Sequence, residues 1–214
     1  MGVIAPEQVS TIFWTAVPAH ELRVRDWSDF DAVHRAVMSL FDPDLPGEAD
    51  RHRATAGVLF RVDDTGTGRV VLVQSTVPAT KPTPETVVKD VSAFLRIPPG
   101  TPVRFRVAVN AVARNSVTTD GHRRVIERPL DEALVGQWLA GKLAPALEQV
   151  SVLHQQRAVH RPRSGRHSAR VMQVDVVDGV ATVADTGHLA ELLVGGVGRG
   201  KAYGCALLTV APIR

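Results

Sequence analysis

Five glycines and two cations fall within the ten residues Gly195-Gly196-Val197-Gly198-Arg199-Gly200-Lys201-Ala202-Tyr203-Gly204. Glycine lets a backbone approach a ligand closely and adopt left-handed dihedrals. Arg199 and Lys201 beside it favour an anionic ligand. Gly195 to Lys201 fits G-x-x-x-x-G-K, but Ala202 stands where a P-loop needs the hydroxyl that holds magnesium. Only thirteen residues follow Lys201, and they read as a strand rather than a nucleotide-binding domain. The dinucleotide fingerprint fails as well, because Lys201 and Tyr203 occupy the two places its third glycine could take. Two readings remain: a loop that cradles an anion, or a glycine-rich turn between a helix and the last strand.

A second chemical feature lies upstream. Between Glu148 and Asp175 there is no acidic residue, while Arg157, Arg161, Arg163, Arg166 and Arg170 stand there with His154, His160 and His167. Five arginines exceed the net charge of the whole chain, +3, so the remainder is slightly acidic. A local arginine cluster on a near-neutral body is the footprint of a phosphate-backbone binder. The plainer reading is a solvated basic loop.

A third feature is His34, one helical turn after Phe30 and one before Met38, on the edge of an apolar helix face. An imidazole titrates near neutrality and suits proton transfer, although a histidine so placed is more often a surface or core-edge residue. Asp42/Asp44 and Asp63/Asp64 could suggest magnesium chemistry, but both pairs sit in turns, where aspartate is common for local reasons. The histidines are scattered, so neither a metal nor a cofactor is expected.

The elements that must position these groups follow from pattern. The chain has 214 residues, 44% hydrophobic and 22% charged, enough for one large domain or two small ones. No apolar stretch reaches a membrane span, no signal peptide is visible, and the single cysteine, Cys205, points to a reducing cytoplasm. Thr11 to Val17 reads as a strand. Asp29 caps a helix from Phe30 to Phe41, with Phe30, Val33, Val37, Leu40 and Phe41 at helical spacing. Ala56 to Val62 and Arg69 to Gln74 form a hairpin across Asp63 to Gly68, and a weaker apolar run follows near Val87-Val88. Pro98-Pro99-Gly100 marks a domain boundary, giving domains 1–97 and 98–214. Beyond it, Val103 to Val109 alternates as a half-buried strand, and a polar loop leads to a helix from Asp131 through Leu143. Ser151 to His160 and Arg170 to Val177 are strands flanking the arginine-rich turn. Asp178-Gly179 carries a hairpin signal ahead of Val180 to Val183. Thr186 to Val194 is a short helix before the glycine run. The second half thus has the β-α-β-β-α-β order of a ferredoxin-like domain, and the first half is a degraded copy. The fold class is α+β, with two tandem ferredoxin-like (RRM-like) domains.

At this point the residues match a known family. The chain resembles the CRISPR-associated endoribonucleases of type I-E systems, the CasE family, which cut repeat hairpins of precursor CRISPR RNA. The specific segment is Gly196 to Leu208, very like the family's glycine-rich signature. His34-Arg35 in the first helix and Phe105 to Asn110 opening the second domain agree in position and type. The resemblance spans essentially the whole chain and implies two tandem ferredoxin-like domains.

It also implies a reaction. Metal-independent attack by the 2′-hydroxyl on the adjacent phosphate would leave 2′,3′-cyclic phosphate and 5′-hydroxyl ends, with the product RNA retained. His34 takes the place of the family's catalytic histidine, most simply as general acid. Asp31 stands where family members often carry a tyrosine; it could orient His34 or be a solvated first-turn residue favoured by the helix dipole. Lys201 is the preferred cation for the transition state, ahead of Arg199 and Arg35. Arg161, Arg163, Arg166, His167 and Arg170 match the family's basic hairpin that grips the RNA stem, and Gly198, Arg199, Lys201 and Arg35 are further RNA contacts. Aromatic residues make up 5% of the chain, which argues against a stacking platform for unpaired bases. The partners implied are the CRISPR repeat RNA hairpin and other subunits of the type I-E surveillance complex. The alternative is a non-catalytic RNA-binding subunit of such a complex.

Overall fold

The computed structural model describes residues 11–45, 52–119, 122–160 and 172–213. Two four-stranded antiparallel sheets form its frame. The first contains β1 (Phe13–Pro18), β2 (Leu59–Thr65), β3 (Gly68–Ser75) and β4 (Val87–Asp90), in the order β2-β3-β1-β4. The second contains β5 (Pro102–Val109), β8 (Leu147–His160), β9 (Met172–Val183) and β10 (Leu208–Pro212), in the order β10-β5-β9-β8. Numbered within each sheet, both read 2-3-1-4 or its reverse, the strand order of a ferredoxin-like unit. The fold is α+β, built from two such units in tandem.

In the first unit the crossover helix is α1 (Phe30–Met38), followed by the short α2 (His52–Thr55). The second crossover is reduced to a 3-10 turn, Ser92–Arg96. In the second unit both crossovers are full helices, α3 (Glu132–Leu143) and α4 (Thr186–Gly195). The three longer helices α1, α3 and α4 are each started by an aspartate whose side chain accepts an amide hydrogen bond: Asp29 from Ala32, Asp131 from Ala133 and Asp185 from His188. A cap of this kind contributes about 1 kcal/mol.

Each sheet closes over its own apolar core. Val33, Val37, Leu40 and Phe41 pack on Val17, Phe60, Val71 and Val73 in the first. Val135, Leu139, Leu143, Leu189 and Leu193 pack on Val103, Phe105, Val107 and Val177 in the second, where Ile12, Val91, Leu95 and Ile97 join them. Gln74 links the two: it accepts from Trp14 Nε1 at 3.1 Å and donates to the Leu193 carbonyl at 2.5 Å.

Three sequence expectations are corrected here. The polar segment after β5 is a hairpin of β6 (Val112–Thr119) and β7 (His122–Pro129), standing apart as its own two-stranded sheet. Asp178-Gly179 is not a turn but the middle of β9, paired to Arg106 and Phe105. A Cβ at Gly179 would lie 2.4 Å from the Phe105 ring, so glycine is there to admit that ring. Finally, α1 ends at Met38, and Leu40 and Phe41 continue it as looser turns.

Candidate functional site

The rotation of α1 is set by Val33 and Val37, which are buried. That leaves Phe30, His34 and Met38 along one edge of the helix. His34 is half-buried, and its Nδ1 is enclosed without a hydrogen-bond partner among the described residues.

The glycine run returns to this edge from the far end of the chain. Gly196 ends α4 with φ of +74°, and a Cβ there would collide with the Ala206 carbonyl at 2.9 Å. Gly200 and Gly204, both left-handed, bracket a 3-10 turn, Lys201–Tyr203. Glycine is the residue that takes up such dihedrals without strain. The loop is tied internally and to the second sheet: Val197 N–H donates to the Ala206 carbonyl at 2.8 Å, Tyr203 N–H to Gly200 at 2.8 Å and Ala206 N–H to Ala108 at 2.6 Å. Its outer side rests on the first unit. The Tyr203 and Phe30 rings lie 5.6 Å apart, and Gly204 sits directly on the Phe60 ring. Residues 167 positions apart in sequence are thereby joined: the turn carrying Lys201 is packed against the helix carrying His34.

A second cation belongs to this patch. Arg53, on α2, is half-buried and held by a hydrogen bond from Nη1 to the Val58 carbonyl at 3.0 Å. Burial lowers the His34 pKa below the ordinary imidazole range, and the Arg53 guanidinium and then Arg35 depress it further while Asp31 acts the other way. Burial and the charge of Arg53 likewise lower Lys201, and burial lowers Arg53 itself. Among the described residues no carboxylate pairs with Arg53 or Lys201. Two half-buried cations and an imidazole, with no carboxylate paired to the cations among the described residues, are an arrangement suited to an anion.

The structure therefore brings His34 and Lys201 together and adds Arg53, which the sequence reading missed. Its signal there was slight, the basic triplet Arg51-His52-Arg53. Asp31 is exposed on the first turn and makes no hydrogen bond to His34. Arg35 lies on the other edge of α1, in an open groove with Glu21, Arg23, Lys81 and Thr83. Arg199 is ion-paired with Glu127 of β7, which also pairs with Arg114 at 3.0 Å. Gly198 is left-handed, and a Cβ there would touch Trp138 at 3.4 Å. Arg161, Arg163, Arg166, His167 and Arg170 lie outside the described residues. Arg157, at the start of the basic run, is engaged by Asp175 at 2.8 Å.

Other candidates are occupied by structure. Asp63 binds Arg61, Asp64 binds Arg69, and Asp42 accepts the Asp44 amide. Cys205 is buried, and its thiol is pushed up to about 12 by burial and the charge of Asp175, so it is no nucleophile. Among the described residues, His20, Glu21 and Glu85 bring ligand-type atoms within 4.8 Å of one another. Glu21 there already accepts from the Thr83 hydroxyl and the Glu85 amide.

A family model for CRISPR-associated proteins matches residues 14–212. The chain belongs to that family. The CRISPR system Cascade subunit CasE of Escherichia coli K12 is 29% identical over 202 residues, covering 88% of this chain and 96% of that one. The crystal structure of Cas6e from E. coli K-12 superimposes with a TM-score of 0.64 at 26% identity, over 94% of this chain and all of that one. Thermus thermophilus Cse3, solved with an RNA representing a pre-cleavage complex, shares the fold with a TM-score of 0.64 at 23% identity, over 94% and 100% of the two chains. Both His34 and the glycine run fall inside the span that the CRISPR-associated family model matches. No helix among the described residues is long and apolar enough to cross a membrane.

Proposed function

We propose that this protein is an endoribonuclease that cuts repeat hairpins in precursor CRISPR RNA. The observation that carries the proposal is the meeting of His34, Arg53 and Lys201 in one half-buried patch, where no carboxylate among the described residues pairs with either cation. The curated E. coli relative, a Cascade subunit, and the E. coli Cas6e structure support the same reading.

The chemistry follows from what such a patch can do. A 2′-hydroxyl attacks the adjacent phosphorus, its proton passes to solvent, and negative charge grows on the non-bridging oxygens. Arg53 and Lys201 stabilise that charge in a partly desolvated setting, where fixed cations act most strongly. The 5′-oxygen leaves with a proton from His34, giving a 2′,3′-cyclic phosphate and a 5′-hydroxyl. Each role that a metal ion could fill is supplied by a side chain, so the reaction is metal-independent. The free protein holds His34 largely neutral; a seated phosphate offsets the two cations and restores the imidazolium that serves as acid. The basic run with Arg161, Arg163, Arg166, His167 and Arg170 grips the stem, with the first domain, 1–97, presenting the histidine and the second, 98–214, holding the RNA. The product stays bound, and the protein acts in the cytoplasm as a subunit of a multi-subunit crRNA surveillance complex.

A second reading, a non-catalytic RNA-binding subunit, is favoured by Asp31, which offers neither a phenol nor a hydrogen bond to His34. Incubation with the cognate repeat RNA in excess EDTA separates the two. Cleavage with a cyclic-phosphate end supports the enzyme. Tight binding with intact RNA rejects it in favour of the second reading.

A further inference from the structure

Three consecutive residues of β2 touch the terminal loop. A Cβ at Gly196 would lie 2.9 Å from Leu59 Cδ1, and one at Gly204 would lie 3.0 Å from the Phe60 ring. The third residue, Arg61, is 3% exposed. Its Nη1 donates to the Leu207 carbonyl at 3.2 Å, to the Arg106 carbonyl at 3.1 Å and to Thr209 Oγ1 at 3.2 Å. Its Nε donates to Asp63 at 2.8 Å. Asp63 is shared with Arg106, 3.2 Å away, which also faces Asp178 at 3.5 Å.

The placement is unusual for a guanidinium. β2 is the outermost strand of the first sheet and β10 the outermost of the second. Arg61 leaves one edge and satisfies acceptors on and beside the other. Leu207 is the residue just before β10, where the glycine loop ends. A buried charge with one carboxylate partner and three uncharged acceptors is a costly way to gain stability, since apolar packing of equal volume commonly serves as well. What a guanidinium adds is direction: a planar fork fixes its acceptors relative to one another.

We infer that Arg61 is a positioning residue, clasping the end of the glycine loop to the first sheet and so fixing where Lys201 stands relative to His34. This rests on the cleavage reading above. The reacting groups come from opposite ends of the chain, so their spacing is set only by tertiary contacts, the Phe30–Tyr203 and Phe60–Gly204 packing together with the Arg61 clasp. A displacement of about 1 Å in such a site can cost roughly 100-fold in rate.

The test uses Arg61→Met, which keeps the stem and removes the donors, with Arg61→Lys and Thr209→Val beside it. Single-turnover cleavage of the repeat hairpin should fall about 100-fold in Arg61→Met while RNA affinity holds. Arg61→Lys should recover part of the rate. Amide hydrogen exchange at Tyr203 and Cys205 should accelerate, with Val71 and Leu139 in the two cores unchanged. Should Arg61→Met not fold, Thr209→Val decides, since it removes one acceptor and leaves Arg61 in place: a smaller loss of rate with faster loop exchange supports the clasp. A folded variant with normal loop exchange and normal cleavage overturns it, and so does a loss of rate matched by an equal loss of affinity. Exchange is read without RNA. If the unmodified protein cuts no RNA, the cleavage reading falls while the exchange result still judges the clasp.

Discussion

The protein uses arginine in two opposite ways. Arg61 and Arg157 are enclosed with carboxylates: Arg61 with Asp63, and Arg157 with fully buried Asp175, which also accepts from Gln173 at 3.1 Å. Arg53, with Lys201 near it, is half-buried against a carbonyl, and among the described residues no carboxylate pairs with it. The first arrangement is complete as it stands and joins strands. The second has no carboxylate partner among the described residues and is partly desolvated, a state that folding alone does not favour and that a phosphate would relieve. Charge count does not separate these two kinds of cation; a carboxylate partner among the described residues does.

The largest effect expected on the functional side comes from His34→Ala. Loss of a general acid typically lowers rate by about 10³-fold, so cleavage should all but vanish in a single-turnover assay. Affinity for the hairpin should be nearly intact, because His34 contributes no grip. A parallel loss of affinity would make His34 a structural residue and place it on the other side of the contrast.

The structural arginine should fail differently. Asp175→Ala takes the carboxylate from the Arg157 guanidinium and one of the two acceptors of Gln173, leaving each the Leu130 carbonyl. Breaking a buried pair costs about 3 kcal/mol at the lower end, and the lower end applies because the Arg157 side chain is 19% exposed. Chemical denaturation should show that loss, with cleavage per folded molecule little changed. Arg53→Met should show the reverse. Its rate should fall about 100-fold, the scale for one preorganised donor to a developing anion, while the denaturation midpoint holds or rises as like charges separate. If Arg53→Met destabilises as much as Asp175→Ala, the distinction between the two kinds of arginine is wrong.

How much of this was legible in sequence depended on whether the cause was local. The rotation of α1 follows from Asp29 and the spacing of Val33 and Val37, and both ferredoxin-like orders follow from strand and helix patterns. The β6–β7 hairpin was read as a loop because its strands, such as Arg114-Asn115-Ser116-Val117-Thr118-Thr119, carry no apolar alternation to announce a buried face. Gly179 looked like a turn residue because the ring it admits, Phe105, is far away in sequence. Arg199 looked like a free cation because Glu127, its partner, stands 72 residues before it. Arg53 was missed for the same reason inverted: what makes it notable is that no described carboxylate pairs with it, and sequence does not display absence in space.

The smallest and most discriminating effect is in the titration of His34. Its folded pKa lies below the 6.5 of a free imidazole, chiefly through burial and then Arg53. The folded chain therefore binds a proton less readily than the unfolded chain. The stability this confers is fully present above pH 6.5 and is lost as pH falls from 6.5 through the folded value. A phosphate seated among His34, Arg53 and Lys201 would counter the depressing charge. With a repeat RNA carrying a 2′-deoxy substitution at the cut position, the His34 resonance should titrate at higher pH than in the free protein, and binding should take up protons near neutrality. Arg53→Met should raise the midpoint in the free protein and reduce the further rise on binding. A midpoint that is unmoved or lowered by RNA would mean that no phosphate reaches His34, and the uncompensated patch would then need another anion.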